Sequence, residues 1–215
     1  MFVGHYSVSL VARRSTVDLP LWIWFVAVQW LDFGFMVLVL LGIEKVRIIP
    51  GFTESNPLDL YYMPYTHGLL GATVMSAIFA ALVAVAFPAA RSAGGLGLLW
   101  LASFSHWLLD LVMHTPDLPI VAGPTKVGLG LWNHLAIGLA LEILLLVLAA
   151  WFYARSAGPQ VRVRAWILVG AMVLLQVYSN FGPTPGSTAQ FAVTALAAYG
   201  LLTAGAYWVE RTRGT

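Results

Sequence analysis

In the stretch Ser105-His106-Trp107-Leu108-Leu109-Asp110-Leu111-Val112-Met113-His114, a histidine, an aspartate and a second histidine stand at successive four-residue intervals. On a helix that spacing sets His106, Asp110 and His114 along one stripe, drifting only ~40° per step. Imidazole nitrogen and carboxylate oxygen are the ligands of a sulfur-free divalent metal site, for zinc first, with manganese or iron as alternatives. More residues of these types stand in apolar surroundings, namely His5, Asp32, His67, His134 and Glu142. Ionisable groups within a membrane span cost ~2.5–3.5 kcal/mol each on insertion scales, so each calls for a partner or a purpose. The seven candidate ligands are His5, Asp32, His67, His106, Asp110, His114 and His134. They exceed the four positions of one tetrahedral ion and suit two ions sharing a carboxylate, with a single ion as the alternative. Asp110, between two histidines on its own stripe, is the natural bridge. Glu142 is the natural general base, or the group that orients a ligand histidine.

These residues must be positioned by membrane helices. Of the 215 residues, 60% are hydrophobic and 9% charged, against roughly 25% charged in an average soluble domain. Spans of ~20 apolar residues are expected at Leu19–Ile43, His67–Phe87, Leu96–His114, Leu131–Tyr153, Ala165–Tyr178 and Phe191–Val209. Between them lie turns such as Ile49-Pro50-Gly51, Ala157-Gly158-Pro159 and Gly182-Pro183-Thr184-Pro185-Gly186. The expected fold is an all-α integral membrane protein, a single domain over 1–215. Residues 1–154 carry the metal-site helices and 163–210 form scaffold helices. Cysteine is absent, which excludes thiolate ligation and a disulfide framework. The net charge of +2 resides in arginines at helix ends and is no nucleic-acid footprint.

Counting Lys and Arg by side gives Arg13, Arg14, Arg91, Arg155, Arg162, Arg164, Arg211 and Arg213 against Lys45, Arg47 and Lys126. The positive-inside rule then places the C-terminus in the cytoplasm and the loops at 44–66, 115–130 and 179–190 outside. No cleaved signal peptide is expected. The apolar segment Phe2–Ala12, stopped by Arg13-Arg14, makes a helix of roughly 18 Å, about half a bilayer. Inserted, it brings His5 to the depth of His67, His106, His114 and His134, at the outer helix ends. Asp32 and Glu142 form a deeper floor. Glu44, Lys45 and Arg47 are expected to form an interfacial charge cluster, and Asp117, beside two prolines, to shape its turn in preference to lining the mouth of the site. The tryptophans are expected to anchor the spans, with Trp107 a wall of the site.

Gly4-His5, Asp32, Thr66-His67-Gly68 and Ser105-His106-Trp107-Leu108-Leu109-Asp110 resemble, in that order, the YdjM-type inner-membrane metal-dependent hydrolases. The resemblance covers roughly residues 4 to 115, and its most specific piece is the serine-histidine-x-x-x-aspartate element. This chain has Leu31-Asp32-Phe33 where that family commonly doubles an acid-histidine motif. It has Met63-Pro64-Tyr65 where the family has His-Arg-Gly. The ligand order is also similar to that of zinc-dependent phospholipases C, although Gly138 stands four residues after His134, where those proteins carry an acid. The resemblance implies a metal-dependent hydrolase of the bacterial inner membrane, and a site open to the outer leaflet implies a lipidic, phosphoester substrate. Two other classes are weighed against it: a metal or proton transporter, and a structural membrane subunit with a bound metal. Below Asp32 and Glu142 the chain offers little polar character except Gln29, which favours a one-sided site over a transport path.

Overall fold

All six apolar runs are helices in the computed structural model, which describes residues 1–211. A single 3-10 turn at Val3–His5 enters the short α1 (Tyr6–Ala12). Six long helices follow: α2 (Leu21–Leu40), α3 (Leu69–Ala86), α4 (Ala93–Met113), α5 (Leu135–Ala154), α6 (Pro159–Phe181) and α7 (Thr188–Glu210). Each is long and apolar enough to cross a membrane, and the chain is an integral membrane helical bundle with a short N-terminal helix. Local chemistry sets the helix starts. Ser92 and Ser187 cap α4 and α7, accepting hydrogen bonds from the amides of Gly95 and Gln190. Pro159 opens α6, where its missing N–H breaks no helical hydrogen bond.

Among the boundaries that differ from the sequence expectation, three bear on how the bundle and the site are built. Helix α6 starts at Pro159 instead of Ala165, because its arginines are satisfied within the bundle. Arg162 donates to the carbonyls of Ala154 and Ala157, and Arg164 to that of Trp208. Helices α3 and α5 start just after His67 and His134, so both histidines sit on turns. The connecting segments also carry two small antiparallel hairpins, β1 (Lys45–Ile48) with β2 (Leu58–Tyr62), and β3 (Leu118–Pro119) with β4 (Lys126–Val127).

Chain direction gathers Arg13, Arg14, Arg91, Arg155, Arg162, Arg164 and Arg211 at one end of the bundle, here called the arginine end. Arg213 lies outside the described residues. Both hairpins cover the opposite end, the site end. The N-terminal segment runs through the middle of the bundle, packed against α2, α4 and α5. Val3, Gly4, His5, Tyr6, Ser9 and Leu10 are buried there. Below the site Leu10, Phe25, Leu146, Ala150 and Met172 form a continuous apolar plug. Outward, Leu82, Leu148, Leu174 and Leu201 are all more than half exposed, the surface a lipid solvent requires.

One ionic knot closes the arginine end. Glu210 accepts from Arg13 Nε at 2.7 Å, from the Leu21 amide at 2.7 Å and from the Tyr153 hydroxyl at 3.0 Å. It thereby joins α1, α2, α5 and α7. Removing Glu210 leaves the largely buried Arg13 with the exposed Asp18 at 3.5 Å, so Glu210→Ala is expected to destabilise the bundle by roughly 3–5 kcal/mol. A drop in the thermal unfolding midpoint in detergent measures it.

Candidate metal centre

Six of the seven expected ligands meet. The four imidazoles of His5, His67, His106 and His114 and the carboxylates of Asp32 and Asp110 converge at the site end, His5 delivered by the N-terminal segment, His67 by a turn, Asp32 by α2 and the other three by the α4 stripe. Asp110 is the hub. Its Oδ1 lies 3.2 Å from His5 Nε2, and its Oδ2 lies 3.2, 3.5 and 3.6 Å from the Nε2 atoms of His106, His114 and His67. Asp32 Oδ1 lies 3.3 Å from His67 Nε2 and 3.5 Å from His106 Nε2. The rings of His5 and His106 stack at 3.7 Å with an interplanar angle of 8°. Two groups of three have donor atoms within 4.8 Å of one another: His5, His106 and Asp110, and Asp32, His67 and His106.

The outer nitrogens of three rings are held so that Nε2 faces inward. His106 Nδ1 is 2.7 Å from the Val28 carbonyl, a pure acceptor, so Nδ1 carries a proton and Nε2 is the nitrogen whose lone pair the neutral ring offers inward. His114 Nδ1 is 2.8 Å from Asp117 Oδ1, again an acceptor. His67 Nδ1 is 2.8 Å from the Thr66 hydroxyl, which donates to Glu44 Oε2 at 2.6 Å. That hydroxyl's one proton is committed to Glu44, so His67 Nδ1 must donate to it. Metal-ligating histidines are oriented by such partners. Inside the ring of partners, His106 Nε2 and both nitrogens of His5 are buried without a hydrogen bond. Buried polar atoms are nearly always paired, and a cation satisfies lone pairs that no donor reaches. The donor set, with imidazole and carboxylate and no sulfur, fits a divalent ion. A positive charge already lies against it, the Met1 amino group 2.6 Å from Asp110 Oδ1.

Backbone shape delivers the two histidines that no long helix carries. Gly68 follows His67 where a Cβ would stand 2.4 Å from the Pro64 carbonyl oxygen, so only glycine permits the turn that aims His67 inward. Gly4 brings its amide to Glu142 Oε2 at 3.1 Å, and a Cβ there would crowd the Glu142 Cγ at 3.3 Å. The Phe2 amide also donates to Glu142 Oε2, at 2.8 Å, and the Val3 amide donates to Gln176 at 3.2 Å. Glu142 therefore pins the segment that carries His5. Its other oxygen, Oε1, makes no hydrogen bond among the described residues.

His134 stands apart. It caps α5 with an exposed side chain and takes no part in the ion pairs or ring contacts of the cluster, because the turn at Leu131–Asn133 brings Trp132 against His114 instead, ring to ring at 3.9 Å. Asp117 does more than shape its turn, since it holds His114. Glu44 belongs to no interfacial cluster: it is 1% exposed and accepts from the amides of Tyr65 and Thr66, while Arg47 pairs with Asp59 across the hairpin at 2.7 Å. Trp107 is a strut whose indole donates to the His67 carbonyl at 2.9 Å. Helix α7 is not mere scaffold, because the Tyr199 hydroxyl donates to Asp32 Oδ2 at 3.1 Å, beside the amide of Gln29. Tyr199 has no helical-stripe signature, and Glu44 lies 22 residues before the Thr66 it serves; neither is linked to the site by sequence spacing.

Because partners of ligating histidines tune affinity by ~10–100-fold, Glu44→Gln is expected to weaken divalent-ion binding by about that factor. His134→Ala is expected to leave it unchanged; isothermal titration with zinc checks both.

A cavity of about 340 Å³ adjoins the cluster. Asp32, His67, Asp110, His114 and Glu142 form its polar end, and the rest of its wall is largely apolar. No protein-family model, curated protein or solved structure matches the chain, so the centre is interpreted on its own geometry.

Proposed function

We propose that this protein is a membrane-embedded, metal-dependent hydrolase of the YdjM-type family, acting on a lipidic phosphoester from the outer side of the bacterial inner membrane. One observation carries the proposal: four imidazoles and two carboxylates converge, with buried lone pairs unpaired, on the polar end of an apolar cavity. Such a donor set suits zinc, and the two faces of Asp110, Oδ1 toward His5 and Oδ2 toward His67, His106 and His114, suit a carboxylate shared by two ions. When bound, the metal supplies Lewis acidity that polarises the ester and makes water more acidic.

The protein's own groups do the rest. In hydrolysis the oxygen of water bonds to phosphorus, the ester P–O bond breaks, and one proton of the water must reach the leaving alkoxide. Glu142 lines the cavity with Oε1 uncommitted, and we assign it the task of taking and returning that proton. Asp32, held by Tyr199 and Gln29, and the three oriented histidines keep the ligand set from collapsing during turnover. The apolar plug between the cluster and the arginine end favours hydrolysis over transport, since a conducted ion needs polar partners through both halves of the bilayer.

Purified protein loaded with zinc and incubated with a mixed lipid extract tests this. Release of phosphate or of a phosphorylated headgroup, abolished by a chelator and restored by zinc, is the expected result. Stable zinc binding with no released product would favour a metal-binding structural subunit.

A further inference from the structure

The cavity beside the cluster is covered on the hairpin side and walled by two membrane-spanning helices. Its roof is the segment between β1 and β2, which is tied down at three points. The Ser55 amide donates to the Trp132 carbonyl, Asn180 Nδ2 to the Ser55 carbonyl, and the Leu135 amide to Glu54. Its side wall is the angle between α6 and α7. At the arginine end these two helices are tightly packed, with Leu168, Met172, Leu202 and Ala206 in one apolar cluster and Leu168 Cδ1 filling the space over Gly205. At the site end they separate. There Ala192 and Tyr199 of α7 pack in a second cluster with α2, α4 and the hairpins, and that cluster contains no residue of α6.

The cavity fills the resulting V. Leu175, Gln176 and Ser179 line it from α6, and Thr194, Ala195 and Ala198 line it from α7. Ser179 and Thr194, which line it from either helix, are themselves exposed, so the cavity is accessible between the two helices. At 1.5 Å per residue, Thr194 lies ~9 Å and Ala198 ~15 Å along α7 from its start, that is, from the interface to about the middle of a ~30 Å hydrocarbon core. A volume of about 340 Å³ is at the lower end of the ~300–1,000 Å³ typical of small-ligand pockets. It suits a headgroup and part of one chain, not two chains.

We infer that the V between α6 and α7 is a lateral port through which one acyl chain of a phosphate-bearing membrane amphiphile lies, its tail among Leu175, Ala195 and Ala198 and its phosphate at the His and Asp cluster. The phosphate end of this inference rests on the hydrolase reading above; the port rests on the divergence of the helices. A fastened cover over the hairpin side and a largely apolar wall between two membrane-spanning helices favour an amphiphile drawn from the leaflet over a water-soluble phosphoester. Ala195 and Ala198, the smallest apolar side chains on that wall, leave the room that the tail takes.

The test is photolabelling in lipid nanodiscs with phosphatidic acid carrying a diazirine midway along one acyl chain. Label concentrated on 175–180 and 191–199 is expected, and Ala198→Trp, or the milder Ala198→Phe, should reduce it several-fold at unchanged zinc content. Label spread evenly over the outward faces around Leu82, Leu148 and Leu201, and unaltered by both variants, would overturn the port. Label at the port in a protein that binds no metal would support the port while removing the hydrolase reading. Zinc-dependent release of phosphate without label at the port would remove the port alone.

Discussion

Asp110→Ala is expected to reduce bound zinc to background while the helical bundle persists. Asp110 is the one group that approaches all four clustered histidines, His5 on one oxygen and His67, His106 and His114 on the other. Without it the remaining acid, Asp32, reaches only His67 and His106, and the ligand set splits. The substitution also removes the carboxylate that the buried Met1 amino group contacts at 2.6 Å, and breaking a buried ion pair is costly. Asp110→Asn keeps the shape and an acceptor oxygen, so comparing the two separates unfolding from loss of ligation. Zinc content by mass spectrometry and helicity by circular dichroism are the paired measurements. Both variants should be zinc-poor, and the asparagine variant should remain folded.

Substitutions of Glu142 should separate its two tasks. One oxygen receives the Phe2 and Gly4 amides, and alanine would leave two buried donors unpaired, at ~1–3 kcal/mol each. The N-terminal segment then loosens and His5 leaves the cluster. Glu142→Ala should therefore lower zinc affinity, and its effect should overlap with that of His5→Ala. In a double-mutant cycle a coupling of ~0.5–3 kcal/mol is expected. Additive effects would show that Glu142 does not deliver His5. Glu142→Gln retains an acceptor for both amides but removes the base. Zinc affinity should then stay near wild type while turnover falls by ~10²–10⁴-fold, the span of a general base.

The bundle was legible in the sequence because the membrane leaves a chain few choices. Six runs of apolar residues interrupted by proline and glycine have no alternative but to be spans. The short α1 was legible for a related reason, an apolar run closed by Arg13-Arg14. The ligand set was legible where helical periodicity or membrane burial singled residues out, as with His106, Asp110 and His114 on one stripe and Asp32 and His67 in apolar surroundings. His134 shows where that logic stops. Its spacing from Glu142 places both on one helix face only if α5 begins before it, and α5 begins at Leu135. The groups that orient the ligands were the least legible. Glu44, Thr66, Gln29 and Tyr199 act through single hydrogen bonds made by tertiary packing, and no periodicity marks such partners. Asp117 was visible as a turn residue, but its bond to His114 depends on the fold of the turn after α4.

The site cavity draws about a third of its lining residues from α6 and α7, which look apolar and featureless in sequence. Their contribution lies in where they touch and where they part, a property of helix packing carried by Gly205, Leu168 and the small residues Ala195 and Ala198.

Zinc K-edge X-ray absorption on the purified, zinc-loaded protein tests the central claim most directly. A low-coordinate shell of nitrogen and oxygen at ~2.0–2.1 Å, with the outer-shell scattering of several imidazoles and lost in Asp110→Asn, is the predicted result. A protein that takes up no zinc, or a shell of water oxygens alone that is identical in Asp110→Asn, would contradict it.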